Sequence, residues 1–186
     1  MSSQWQVREA ARALHAGGVI AYPTEAVYGL GCDPLDADAV LRLLALKQRP
    51  VEKGVILIAA DLTQLEPYVG PLPDPLRRKV LATWPGPVTW LLPVSDTVPV
   101  WLRGRHDSLA VRVTAHPLAA ALCQRFGGAI VSTSANISSR PPARNPLTVQ
   151  RVFGGRLDFI LHGPLGGLDR PTEIRDGRSD RVVRSG

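Results

Sequence analysis

The chain has 186 residues, 45% hydrophobic and 20% charged, a globular balance that excludes wholesale disorder. Gly and Pro contribute 17 each, which favours turns and short elements over an all-helical bundle. Lys and Arg outnumber Asp and Glu by 22 to 16, and a net charge of +6 favours anionic partners.

No apolar run approaches the roughly 20 residues of a membrane span. The N-terminus lacks the basic start and apolar stretch of a signal peptide. Cys32 and Cys123 have no CxxC neighbours, which argues against a zinc site or a disulfide framework. A reducing, cytoplasmic compartment is expected.

In chain order, Ser3 and Gln6 form a capping-box pair ahead of Val7, Ala10, Ala11 and Leu14, which share one helical face. Gly17 and Gly18 end that helix. Residues 19–22 read as a buried strand stopped by Pro23. Asp36 or Asp38 caps a second helix with Ala39, Val40, Leu43, Leu44 and Leu46 apolar, and Pro50 ends it. Residues 54–60 form a strand, and Asp61 caps a short helix to Glu66. Asp74 and Pro75 are a cap and a first helical residue, opening a helix to about Thr83. Trp84-Pro-Gly-Pro87 is a rigid turn, followed by strands over 88–94 and 108–113. Thr114 caps a helix over 116–126, stopped by Gly127 and Gly128. Residues 129–133 are a strand that runs into a polar loop over 134–145. A short helix over 148–153 and strands over 157–161 and 181–184 complete the chain. Strands and helices interleave, so the class is α/β or α+β, one domain over 1–186 with a mixed sheet and flanking helices.

The chemistry inventory excludes several common sites. There is no GxxxxGK[ST] loop, no GxGxxG, no GxSxG and no HExxH. The four histidines are scattered, and structural or surface roles suit them better than catalysis. What remains is polar residues at the ends of apolar strands, where open α/β sheets place ligands.

Three clusters stand out. In Tyr22-Pro-Thr-Glu-Ala-Val-Tyr-Gly-Leu-Gly31, a buried strand breaks and exposes Thr24 and Glu25; Gly29 and Gly31 permit close backbone approach or positive φ. Thr24 reads equally as a helix cap. In Lys47-Gln-Arg-Pro-Val-Glu-Lys53, three cations stand at a helix end. They suit either the helix dipole or a triphosphate. In Ile130-Val-Ser-Thr-Ser-Ala-Asn-Ile-Ser138, an apolar strand delivers hydroxyls and an amide that bind phosphate oxygens or satisfy their own turn. Arg112, inside the apolar strand around it, needs an anion, either a substrate carboxylate or an internal acid such as Glu25.

These segments, with Trp84-Pro-Gly-Pro-Val-Thr89, the Val-Arg-Val strand at Arg112 and Ser134-Ala-Asn136, resemble the YrdC-like threonylcarbamoyl-AMP synthases in order and over nearly the whole chain. The length is similar to the short single-domain bacterial form rather than the form with a further C-terminal domain. The resemblance implies a YrdC-like fold. It also implies a nucleotidyltransferase reaction that joins L-threonine, bicarbonate (or CO2) and ATP, with Mg2+ accompanying the nucleotide. Pyrophosphate and threonylcarbamoyl-adenylate are the products, for the t6A modification of tRNA adenosine 37.

By the same resemblance, Lys47, Arg49, Ser134 and Asn136 surround the phosphates. Thr24, Arg112 and Thr172 hold threonine. Ser108, Ser132 and Arg184, with Lys53 on the same loop as Arg49, contact the nucleotide. No protein-bound metal is implied. The family's usual Ser-Gly after this asparagine is Ser138-Ser139 here, and Thr172-Glu173 replaces a more usual Ser-Thr. The implied partners include tRNA or double-stranded RNA and the downstream transferase complex. Between residues 137 and 157 stand Arg140, Arg144, Arg151 and Arg156 without an acid, which supports a competing expectation: a non-catalytic RNA-binding protein or a ribosome-maturation factor.

Overall fold

The computed structural model describes residues 3–185. Helix α1 (Ser3–His15) opens the chain, followed by strands β1 (Ile20–Pro23) and β2 (Tyr28–Gly31), helix α2 (Ala37–Lys47) and strand β3 (Ile56–Ala59). Helix α3 (Asp74–Thr83), strand β4 (Val88–Pro93), the single turn α4 (Val100–Arg103) and strand β5 (Ser108–Val113) make the middle. Helix α5 (Pro117–Phe126), strand β6 (Ile130–Ser134), helix α6 (Pro146–Phe153) and strands β7 (Phe159–Ile160), β8 (Glu173–Asp176) and β9 (Val182–Arg184) follow.

The strands join in the order β7-β1-β2-β6-β3-β5-β4-β8-β9. The β1–β7, β3–β5 and β4–β8 pairs are parallel and the rest antiparallel, so the sheet is mixed, as expected. Each strand feeds two cores because successive side chains point to opposite faces. Ile20 and Tyr22, with Ile58 and Ile130, pack against Val7, Leu14 and Leu122 of α1 and α5. Their alternates Ala21, Leu57 and Val131 pack on the other face with Val40, Leu43 and Phe153 of α2 and α6.

Several local expectations are corrected. The Ser3 cap lies outside the described residues, because α1 begins at Ser3 and its side chain is not described. Asp36 rather than Asp38 caps α2, its Oδ1 accepting from the Ala39 N–H at 3.0 Å. Residues 63–68 are successive turns, not a helix; Asp61 accepts from Thr63 and Gln64 within them. Pro73 caps α3, and Asp74 is its first residue. His116, not Thr114, caps α5: its Nδ1 faces the Ala119 N–H at 3.4 Å, while the Thr114 hydroxyl donates to Glu25 at 2.6 Å. Tyr28 to Gly31 is a strand, and neither glycine has positive φ. Close approach is what glycine permits there. A Cβ on Gly31 would stand 2.6 Å from the Val131 carbonyl and 2.8 Å from the Tyr22 ring.

Candidate active site

The strand ends enclose an open cavity of about 450 Å3, within the range of small-molecule sites. Thr24 enters it where β1 breaks at Pro23. Ser108 and Arg112 enter from β5, and Ser132 and Ser134 from β6. Arg49 and Lys53 reach it from the α2 exit, Thr172 from the segment just before β8, and Arg184 from β9. The other two expected residues, Lys47 and Asn136, stand behind the wall.

The α2 exit shows how this is built. Gln48 adopts left-handed φ of 51° and closes the helix through its backbone N–H. Lys47 turns inward and is 3% exposed. Its Nζ donates to the Ser134 carbonyl, to the Asn136 carbonyl at 2.9 Å and to Asn136 Oδ1 at 3.2 Å. Ser134 Oγ donates to the same Oδ1 at 2.5 Å, and Asn136 Nδ2 holds the Ile137 and Arg140 carbonyls. Burial, helped by the Arg49 charge, pulls the Lys47 ammonium down to about 8. The loop therefore presents the Ser134 hydroxyl on a brace made by Lys47 and Asn136. Within that loop Ser139 has φ of 67°, the conformation that the family's usual glycine takes without a Cβ penalty.

Arg49 is held as well. Its Nε and Nη2 donate to the Gly54 carbonyl at 3.3 and 3.0 Å, and Nη2 also to the Lys53 carbonyl at 3.3 Å. A guanidinium fixed on one edge presents its other edge to the cavity at low entropic cost.

Arg112, which also lines the cavity, meets the internal acid. Its Nη1 contacts Glu25 Oε2, and both side chains are nearly inaccessible. Neither atom lines up as a hydrogen bond, and Arg112 Nε has no partner. Burial alone would raise the Glu25 carboxyl, but the Arg112 charge and the Thr114 hydroxyl outweigh it and hold the group below its usual range. Glu25 and Arg112 thus neutralise each other while Arg112 still lines the cavity. The Glu25 carbonyl accepts from Leu168 and that of Thr24 from Gly166, which ties the segment before Thr172 to the β1 exit. Arg184 Nη2 donates to the Thr172 carbonyl at 2.8 Å.

The lining includes no Asp or Glu among the described residues, and no three His, Cys, Asp or Glu cluster in metal-ligand fashion. The donor set therefore does not make a protein-held magnesium site. Burial lowers His116, whose Nε2 faces the Pro164 carbonyl at 3.0 Å. It raises both cysteine thiols, Cys123 to about 12, so no nucleophile is primed here. What the arrangement offers is fixed cations and hydroxyls for phosphate in the same cavity as the polar residues Thr24, Arg112 and Thr172. The apolar stretch of Leu91, Ile174 and Val183 was not read from the sequence as part of a site, nor were Arg103 and His106 beside it. Their short elements carry no periodicity long enough to place them. Of the arginine run, Arg144 and Arg156 donate to backbone carbonyls, so half of it serves the chain's own loops.

The Sua5/YciO/YrdC family model, described as telomere recombination, matches residues 12–186. The chain belongs to the Sua5/YciO/YrdC family. Within that family, the threonylcarbamoyl-AMP synthase of Halorhodospira halophila is 61% identical over 180 residues, 97% of this chain and 94% of that protein. E. coli YciO superposes with a TM-score of 0.87 at 29% identity, over 98% of this chain and 90% of that one. P. abyssi Sua5 in complex with L-threonine gives 0.88 at 35% identity, over 93% of this chain and 51% of that one. This chain thus spans about half the length of P. abyssi Sua5.

Proposed function

We propose that this chain is a threonylcarbamoyl-AMP synthase, making threonylcarbamoyl-adenylate and pyrophosphate from L-threonine, bicarbonate (or CO2) and ATP. The observation that carries the reading is one cavity lined both by the cations of the α2 exit, Arg49 and Lys53, and by Arg112 with Thr24 and Thr172. The identity to Halorhodospira halophila threonylcarbamoyl-AMP synthase supports it.

The reaction needs no covalent enzyme intermediate. The threonine amine and bicarbonate give a carbamate with loss of water. A carbamate oxygen attacks the α-phosphorus, and the bond to pyrophosphate breaks. Catalysis is then positioning and charge stabilisation. Arg49 meets the charge developing on the phosphates, with Lys53, Ser108, Ser132 and Arg184 around the nucleotide. The single Ser134 hydroxyl proton, which goes to Asn136 Oδ1 in this structure, would turn to a phosphoryl oxygen when the nucleotide binds, with Lys47 and Asn136 keeping the loop in place. Thr24 and Thr172 face the amino acid, and Arg112 offers its free edge to the carboxylate. Mg2+ would accompany the triphosphate and offset part of its charge, since the cavity lining holds no carboxylate for it. The product is a mixed anhydride suited to a cytoplasmic transferase complex acting on tRNA adenosine 37.

Mass spectrometry of a mixture of the protein with the three substrates tests this directly. Threonylcarbamoyl-adenylate and equimolar pyrophosphate should appear, and omission of threonine or bicarbonate should abolish both. ATP turnover to AMP without the adenylate would refute the reading.

A further inference from the structure

The geometry points to Arg103, on the turn α4, as a binding residue for the leaving pyrophosphate. This rests on the reading of the cavity as a nucleotide site. Arg103 lines that cavity together with Arg49 and Lys53, and it comes from a segment distant in sequence that is bolted to theirs. The Val55 N–H donates to the Leu102 carbonyl at 2.9 Å, and the Arg105 N–H to the Glu52 carbonyl at 3.2 Å.

Two glycines make that approach possible. A Cβ on Gly104, at φ 62°, would stand 2.2 Å from the Glu52 carbonyl. A Cβ on Gly54, at φ 60°, would stand 3.0 Å from the carbonyls of Leu102 and Arg103. The turn α4 and the 3-10 turn Val51–Lys53 are therefore one rigid ledge. Arg103 is oriented on it by its Nη1, which donates to the His106 carbonyl at 3.2 Å.

The ledge gathers positive charge that the protein does not neutralise. Arg112, by contrast, has Glu25. Arg49 uses its inner edge on backbone carbonyls, and no salt bridge is made by Arg49, Lys53 or Arg103 among the described residues. A concentration of unpaired cations beside a carboxylate-free cavity selects the most highly charged part of the ligand. In a nucleoside triphosphate that part is the β- and γ-phosphates. They are also the group whose charge grows as the bond to the α-phosphorus breaks, so a guanidinium here assists departure as well as binding.

Calorimetric titration of the full chain with inorganic pyrophosphate, and separately with AMP, tests this whether or not turnover is seen. Arg103→Ala should weaken pyrophosphate binding by about tenfold, the loss of one charge-assisted contact, and leave AMP binding unchanged. Arg103→Lys should recover part of the loss. In turnover, the KM for ATP should rise while that for threonine holds. Equal pyrophosphate binding by the wild type and Arg103→Ala would overturn the inference. So would an equal loss for AMP, or a wild-type chain that binds no pyrophosphate. Arg103→Gln keeps the stem packing and replaces the alanine variant if that chain does not fold. Failure of the synthase reading is seen separately, as absence of the adenylate from wild-type mixtures.

Discussion

Lys47 and Asn136, 89 positions apart, meet twice: the lysine Nζ donates to the asparagine's backbone oxygen at 2.9 Å and to its side-chain oxygen at 3.2 Å. A cation that sequence reasoning assigns to phosphate is engaged with the loop that presents Ser134. On the proposed reading, it acts on the reaction through that loop.

The first prediction concerns pH. The folded Lys47 ammonium titrates near 8, against 10.5 for an ordinary lysine. Below that value it is charged in both folded and unfolded chains. Between the two values the folded chain has released a proton that the unfolded chain keeps, so this group's contribution to stability rises with pH. The neutral amine has lost its charge and one donor to the loop, so activity falls over the same range. Pyrophosphate release should decline near pH 8 without a matching loss in denaturant midpoint. A rate that holds flat well past that point would show that the brace does not need the ammonium.

A second prediction concerns the buried pair. Removing one partner of a buried ion pair costs about 3–5 kcal/mol, because the other charge is left uncompensated. Glu25→Gln should therefore lower stability strongly and raise the KM for threonine more than that for ATP. Since the Glu25 carboxyl is held below its unfolded value, its stabilisation is present at neutral pH and is lost as pH falls through the folded value. Chemical denaturation from neutral to acid pH should show a shallower acid-side loss in Glu25→Gln than in the wild type. Identical slopes would mean that the carboxylate contributes no linkage.

The loop after Asn136 gives a third. Ser139 sits at φ 67°, where a side chain costs about 1–2 kcal/mol. Ser139→Gly relieves that strain and gives back roughly 0.4–1 kcal/mol through a more flexible unfolded chain. A modest rise in denaturant midpoint is expected, with turnover unchanged. A fall would mean that the serine makes a contact worth more than the strain.

Much of this architecture is legible in the residues, and the failures have identifiable physical causes. The faces of α1 and α2 follow from their 3.6-residue periodicity, and β5 from its apolar run. Tyr28-Gly-Leu-Gly31 hides a strand because its glycines resemble a turn, yet they are there to let the Val131 carbonyl and the Tyr22 ring close in. The cap of α5 is not legible because Thr114 sits two residues too early: its hydroxyl accepts from the His116 N–H and donates to Glu25, 89 positions away, while His116 reaches the Ala119 N–H. At the site, chemistry-bearing residue types were visible at strand ends. Whether a side chain enters the cavity or braces its wall was not visible, as Lys47 shows. Arg103 was one arginine among many, and only the Gly54–Gly104 contact places it.

If Arg49, held on its inner edge by the Lys53 and Gly54 carbonyls, stabilises the charge that builds on the phosphates, its removal must show in the rate. The most direct measurement is threonine-dependent pyrophosphate release by Arg49→Ala at saturating substrates, with the fold checked by circular dichroism. Loss of one such donor predicts a fall of about 100- to 1000-fold. A folded variant that releases pyrophosphate at the wild-type rate would contradict the claim.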